Sequence, residues 1–90
     1  MTYEEEVKSL LTDNSLLHLI AGLAAEAGEV CGIIQKAAYK FTEISRDDML
    51  IELGDTLFYV TALANHFRLT EEEIKQANIK KLKERHGERK

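Results

Sequence analysis

Two pairs of acidic residues with the same spacing interrupt apolar stretches of the chain. Glu26 and Glu29 lie within LAAEAGEVCG, and Glu52 and Asp55 lie within IELGDTLFYV. The members of each pair are three residues apart, so on a helix both carboxylates share one flank. A single pair of this kind is usually solvated or salt-bridged to lysine. Its repetition on two apolar segments favours a shared site.

Four carboxylates between two packed helices would repel one another strongly. Two like charges about 5 Å apart cost roughly 3 kcal/mol at an effective dielectric constant of about 20. Protonation or a bound cation relieves this repulsion. Ligands drawn from Asp and Glu oxygens suit Mg²⁺ or Mn²⁺. A di-iron bundle is disfavoured, because it needs a histidine three residues after a glutamate and neither segment has one.

A second group of polar residues lies near the C-terminus, on the last predicted helix. Asn78, Lys81 and Arg85 fall within about 60° of one another on a helical projection, in the sector of Ile74. Amide and cationic groups on the inward side of a helix are suited to phosphate oxygens. Alone, this pattern is typical of a salt-bridged surface. Beside the four acids, it indicates a divalent cation with a cationic clamp, as in phosphoryl transfer.

Four helices position these groups, and the sequence predicts no strand. The expected bounds are about 2–11, 14–40, 45–66 and 70–85, with Gly87 closing the last helix. Ser45 and Thr70 each begin a pattern that caps a helix N-terminus. Proline is absent and Ala, Leu, Glu and Lys are abundant, which agrees with an all-α composition. Short connections predict a four-helix bundle-like protomer in a single domain, residues 1–90.

The apolar surfaces of the two central helices exceed what one small protomer can cover. The second helix has one apolar stripe, whereas the third is apolar on two nearly opposite faces. A chain of 90 residues without a disulfide buries only a thin core, so we expect a homo-oligomer. Gly28 and Gly54 project away from the acids. We expect them to allow close helix packing behind the site, because each costs about 1 kcal/mol relative to alanine.

Composition argues against several other classes of function. The net charge is −4 and the C-terminal basic residues are mixed with acids, so nucleic-acid binding is not expected. The one cysteine, Cys31, excludes a disulfide framework and is expected to be buried. Glu26 and Glu29 interrupt the longest apolar stretch, so no membrane span is predicted. A cytoplasmic location is the default expectation.

Together these residues resemble the MazG-like, all-α nucleoside triphosphate pyrophosphatases. The resemblance rests on GLAAEAGEV, IELGDTLFYV and NIKKLKER, in that order, and covers roughly residues 14–86. It is strongest for the short, single-domain members of bacteria and phages, some of which also carry a segment like LLHLIAGL. The family signature is E-E-x-x-E, then E-x-x-D, then a helix with Asn, Lys and Arg. Here Ala25 replaces the first acid.

The resemblance implies Mg²⁺-dependent hydrolysis of a nucleoside triphosphate to the monophosphate and pyrophosphate, in the manner of house-cleaning enzymes, with Mn²⁺ as a substitute ion. It also implies a homodimer or a homotetramer. By position, it assigns the catalytic residues and metal ligands as Glu26, Glu29, Glu52 and Asp55. The candidate substrate contacts are Lys36, Asn78, Lys81, Arg85 and, one helical face away from the acids, His18. Ala25 leaves the number of metal ions and the activation of water open.

Two other functions stay open on the sequence alone. A phosphoribosyl-ATP pyrophosphatase resembles this chain in fold and paired acids, but acts on another substrate in histidine biosynthesis. A non-catalytic helical module would bind a nucleotide or a partner protein, with Ala25 marking lost chemistry. The motifs do not contain the base and sugar preference.

Overall fold

The computed structural model describes residues 1–88, with the backbone alone for the last of them. Within these residues it contains no strand and the following four helices: α1 (Tyr3–Leu10), α2 (Leu16–Lys40), α3 (Arg46–His66) and α4 (Glu71–Glu88). The all-helical prediction is confirmed. The bounds of the first three helices differ from those expected by no more than two residues.

The predicted end of the last helix is wrong, because Gly87 lies inside α4. Glycine ends a helix when it adopts a left-handed conformation. Gly87 does not have a positive φ, so the helical hydrogen bonding continues through it.

Capping side chains fix where the helices begin. The Ser45 hydroxyl accepts a hydrogen bond of 3.2 Å from the backbone N–H of Asp48 at the start of α3. Thr70 accepts one of 3.1 Å from the backbone N–H of Glu73, and the Glu73 carboxylate accepts one of 3.1 Å from that of Thr70. Both predicted caps are therefore confirmed, and the second is a complete capping box.

Two packed pairs of helices form the body of the protein. α2 packs along α3, to which it is joined by a short connection, and α1 packs on α3. The core is small: Val7 of α1, Leu19 of α2 and Ala62 of α3 are buried together. The Asn65 side chain donates a hydrogen bond of 3.0 Å to the backbone oxygen of Glu4, which ties α1 to the end of α3.

α4 leaves this body in its own direction. α3 ends at a turn in which Arg68 has a φ of 59°, and the backbone N–H of Leu69 donates to the oxygen of Ala64 at 2.8 Å. Only the start of α4 meets the body, where Ile74 lines a small apolar cavity with residues such as Leu23. Among the described residues, α4 makes no extended packing with the other helices.

Much of the predicted apolar surface is uncovered in a single copy. Five large side chains along one of the two apolar faces of α3, which we name the leucine face, are 39–64% exposed. They are Leu50, Leu53, Leu57, Val60 and, directly after the helix, Phe67. Cys31 is also exposed, contrary to the prediction. It follows Glu26 by five residues, which places it about 140° around α2 from the side that meets α3.

α2 has the length and apolar composition of a membrane-spanning helix. Glu26 and Glu29 lie near its middle, where a charged side chain is costly in a bilayer. The helix packs against α3 along the side that carries Glu26. These properties favour a helix that other protein surfaces cover.

Candidate metal centre

Three carboxylates from two helices meet in one cluster. One carboxylate oxygen from each of Glu26, Glu52 and Asp55 lies within 4.8 Å of the other two. Glu52 and Asp55 share a flank of α3 because they are three residues apart, and Glu26 faces them from α2. Glu29 lies one helical turn along α2, outside this three-residue cluster, and is exposed. The structure thus brings together three of the four acids expected from the sequence.

Glu52 is the most perturbed member of the cluster. Desolvation raises the pKa of its carboxyl above the ordinary value, and the neighbouring charges of Asp55, Glu29 and Glu26 raise it further. Its Oε2 atom is buried and has no hydrogen-bond partner. The adjacent Glu26 cannot supply one while both are ionised, because carboxylates only accept. A cation or a proton is the group that would satisfy this oxygen.

Basic side chains do not neutralise the cluster. The ion pair found within residues 1–88 joins Lys75 to Glu71 on α4, and it leaves all four acids without a lysine or arginine partner. Ordinary salt bridging, the simpler explanation of the acidic pairs, therefore does not account for this arrangement.

The donors of the cluster fit Mg²⁺. The ion takes oxygen ligands and is usually held by one or two carboxylates, with water and substrate phosphates filling its other positions. Glu26 and Glu52 are half-buried and Asp55 is exposed, so one side of the cluster is open. Substrate oxygens can approach from that side.

His18 and Lys36 lie on opposite sides of the acids along α2. The His18 ring meets the Tyr59 ring edge to face, with centroids 5.9 Å apart. Tyr59 follows Asp55 by one turn of α3, so His18 lies beyond the acids in that direction. Lys36 follows the acids towards the C-terminus of α2, where it lines a groove of about 320 Å³ with Lys40 and other residues.

The structure does not bring the amide and cationic side chains of α4 to the acids. Asn78, Lys81 and Arg85 are exposed, and no hydrogen bond or ion pair in the described part of the chain joins them to α2 or α3. A role at the cluster requires α4 to approach it, from the same copy or from a second one. Ala25 is exposed on α2 and offers no ligand.

The expectation for two of the glycines is wrong within one copy. A Cβ atom built on Gly28 or Gly54 would meet nothing within 4 Å, because both face away from the neighbouring helix. Gly22, for which the helical pattern predicts no role, is the glycine that makes a close contact, with the ring of Tyr59. The available signal was LLHLIAGL, in which His18 and Gly22 share one side of α2 at a spacing of four.

Comparison with known proteins identifies the family of the chain. The family profile described as the MazG nucleotide pyrophosphohydrolase domain matches residues 14–90. The Gene 37 protein of Mycobacterium phage L5 is 35% identical over an alignment of 74 residues, and the alignment covers 78% of this chain and 65% of that protein. The chain thus spans slightly less than two thirds of this relative's length. No solved structure matches the present chain significantly.

The family match includes the acidic cluster, the exposed fourth acid and helices α2, α3 and α4. The chain belongs to the MazG nucleotide pyrophosphohydrolase domain family.

Proposed function

We propose that the protein is a Mg²⁺-dependent hydrolase that cleaves a nucleoside triphosphate to the monophosphate and pyrophosphate, with Mn²⁺ able to replace Mg²⁺. One observation carries the proposal: a three-carboxylate cluster with a buried, unpartnered Glu52 oxygen, in a chain of the MazG family. House-cleaning of unwanted nucleotides in the cytoplasm is the role that this chemistry would serve.

Each acid has a part in this proposal. Glu26, Glu52 and Asp55 hold the cation between α2 and α3. A bound divalent ion supplies Lewis acidity, which offsets charge on phosphate oxygens and lowers the pKa of water. Glu29 lies outside the three-residue cluster and is exposed, so its carboxylate either completes the ligands or accepts the proton of the attacking water. With Ala25 in place of a further acid, Glu29 is the nearest free carboxylate on α2.

The groups on either side of the acids suggest how a nucleotide lies across the acidic cluster. Lys36 lies towards the C-terminal end of α2, and its ammonium group is suited to phosphate oxygens. His18 and Tyr59 meet at the other side, where flat rings are suited to a base or a sugar. The triphosphate then spans the cluster. Asn78, Lys81 and Arg85 contact its oxygens if α4 approaches.

Assembly as a homodimer or homotetramer is part of the proposal. The leucine face of α3 is exposed in one copy, and full burial of a leucine side chain contributes about 1.5–3 kcal/mol. A small helical chain with a thin core gains stability when a second copy covers such a face. Nucleotide, and not nucleic acid, is the expected partner of the acidic site.

A substrate panel tests the activity and separates the alternatives. We expect pyrophosphate release from at least one common or modified nucleoside triphosphate with Mg²⁺ or Mn²⁺, and none with EDTA. Turnover of phosphoribosyl-ATP alone would instead identify the histidine-biosynthesis type of enzyme. Mg²⁺-dependent nucleotide binding without turnover, measured by calorimetry, would identify a binding module. If the panel shows neither pyrophosphate release nor nucleotide binding, that result contradicts the proposal.

A further inference from the structure

The missing side chain of Gly22 creates a notch in α2 that holds the ring of Tyr59 from α3. A Cβ atom at position 22 would overlap three ring carbons, of which the farthest, Cδ1, would be only 2.7 Å away. Something must move to relieve an approach this close. The other four glycines, all within the described part of the chain, would meet nothing within 4 Å. Gly22 is therefore the glycine whose lack of a Cβ atom allows α2 and α3 to approach closely.

The Tyr59 ring has little freedom to move out of the way. His18 meets it edge to face at a centroid distance of 5.9 Å. Phe58 meets it in the same manner at 5.4 Å, with the ring planes inclined by 81°. Tyr59 also packs against the small buried core. We therefore expect a new Cβ atom at Gly22 to push the helices apart, because these neighbours limit how far the half-buried ring can turn aside.

This contact lies directly beside the acidic cluster. Gly22 precedes Glu26 by four residues and Tyr59 follows Asp55 by four, so each is about 6 Å along its helix from a member of the cluster. The cluster takes Glu26 from α2 and its other two acids from α3. Its size therefore depends on the separation of the helices at this level.

We infer that Gly22 and Tyr59 are positioning residues that set the distance between the two halves of the metal site. The inference rests on the proposed metal-dependent function. Mg²⁺ requires ligands at 2.0–2.1 Å in nearly ideal octahedral geometry, whereas Ca²⁺ accepts longer and more variable distances. A wider separation of α2 and α3 therefore weakens Mg²⁺ binding more than Ca²⁺ binding. Selectivity between these ions is the property that the notch controls.

The test compares metal binding by Gly22→Ala with binding by two matched glycine variants. Affinities for Mg²⁺ and for Ca²⁺ are measured by calorimetry on the full chain without nucleotide, and helicity is checked by circular dichroism. We expect Gly22→Ala to lose about tenfold in Mg²⁺ affinity, and less in Ca²⁺ affinity, as changes around metal ligands typically do. Gly28→Ala and Gly54→Ala place a Cβ on the same two helices in open space, and should bind both ions as the wild type does.

A second variant tests the proposed cause of the loss. Tyr59→Ala removes the ring that the new Cβ would strike, so combining it with Gly22→Ala should restore most of the Mg²⁺ affinity. If Gly22→Ala does not fold, Tyr59→Trp enlarges the ring at the same contact and should reproduce the selective loss.

Two outcomes overturn the inference while leaving the proposed function intact. One is wild-type Mg²⁺ affinity in both enlarging variants. The other is an equal loss for Mg²⁺ and Ca²⁺, which would indicate only a less stable fold. A wild-type protein that binds no divalent cation would contradict both the inference and the proposed function.

Discussion

Among the residues that the structure describes, Glu52 is the one whose carboxylate is satisfied least. Burial and three neighbouring carboxylates raise its pKa, and its Oε2 atom has no hydrogen-bond partner. Unsatisfied groups of this kind concentrate at functional sites, because the fold retains them for a ligand rather than for stability. Two measurements on the protein without substrate follow from this.

The stability of the metal-free protein should fall as the pH rises through the titration of Glu52. The pKa of Glu52 is raised in the folded chain from an ordinary value of 4.5, so the folded state binds more protons than the unfolded state above that pH. The free energy of unfolding then decreases from about pH 4.5 up to the raised pKa. Denaturant unfolding in EDTA measures this slope.

The Glu52→Gln variant isolates the contribution of this carboxyl. Hydrogen bonds from Thr2 and from Ser15 lower the pKa values of Glu5 and Asp13, so the stability that these two carboxylates contribute is lost as the pH falls, which is the opposite sign. They are present in both proteins and cancel in the comparison. Equal slopes in wild type and variant above about pH 4.5 would show that Glu52 is not destabilised by its surroundings.

Glu52→Gln should also raise the stability of the metal-free protein and weaken its binding of Mg²⁺. Without metal we expect a higher melting temperature than that of the wild type, because the repulsion within the cluster is reduced. Added Mg²⁺ should stabilise the wild type by about 2.7 kcal/mol at one hundred times its dissociation constant, and the variant far less. Glu84→Gln, on exposed α4, is the matched control and should keep the full response. A variant that Mg²⁺ stabilises as strongly as the wild type would remove Glu52 from the ligands.

At the scale of helices, local rules were sufficient for much of the fold. The hydroxyls of Ser45 and Thr70 cap their helices where the sequence predicted, because a cap depends only on residues a few positions away. A spacing of three placed Glu52 and Asp55 on one flank of α3 for the same reason. Contacts between helices could not be obtained in this way. The Gly22 notch depends on a ring 37 positions further along the chain.

The error at Gly28 illustrates that limit. A glycine within a helix suggested a close packing contact, but the sequence does not say which glycine faces the neighbouring helix. The direction of α4 was missed for a similar reason, since it follows from the left-handed turn at Arg68 and not from the residues of α4. The expected meeting of acids from α2 and α3 is found for three of the four, whereas within the described residues no packing joins the cations of α4 to them.

Gly28→Ala should stabilise the protein. A Cβ at this position meets nothing within one copy, so the variant gains the better helix propensity of alanine, about 0.5–1 kcal/mol. Thermal and denaturant unfolding measure the change, and size-exclusion chromatography reports any effect on assembly. A loss of stability together with dissociation would place Gly28 in a contact between copies, and would restore the packing role first expected for it.

At the scale of the whole molecule, one copy leaves two surfaces of the described chain without a contact partner. The leucine face of α3 is exposed, and the cations of α4 stand away from the acids. Assembly with another copy would cover the leucine face. It also offers one route by which the cations of α4 could reach a phosphate. The oligomeric state therefore bears on the site as well as on stability.

Glu substitutions on the leucine face should break the assembly. Leu53→Glu and Leu57→Glu each place a charge on an apolar surface that we expect a second copy to bury, and burying an unpaired charge is strongly unfavourable. Analytical ultracentrifugation should show monomers for these variants and a dimer or tetramer for the wild type. Leu10→Glu, at an exposed leucine of α1, is the control and should not change the mass. A wild type that is monomeric at high concentration would contradict the proposed assembly.

Pyrophosphate release by the wild type and by Asp55→Asn, measured side by side with Mg²⁺ and with EDTA, tests the central claim most directly. The variant keeps the size of the side chain and removes its charge from the cluster. We predict that the wild type produces pyrophosphate and nucleoside monophosphate in equal amounts, only with the metal, and that Asp55→Asn is slower by at least about a hundredfold. Equal rates in the two proteins, or release that continues in EDTA, would contradict a carboxylate-held metal as the centre of the reaction.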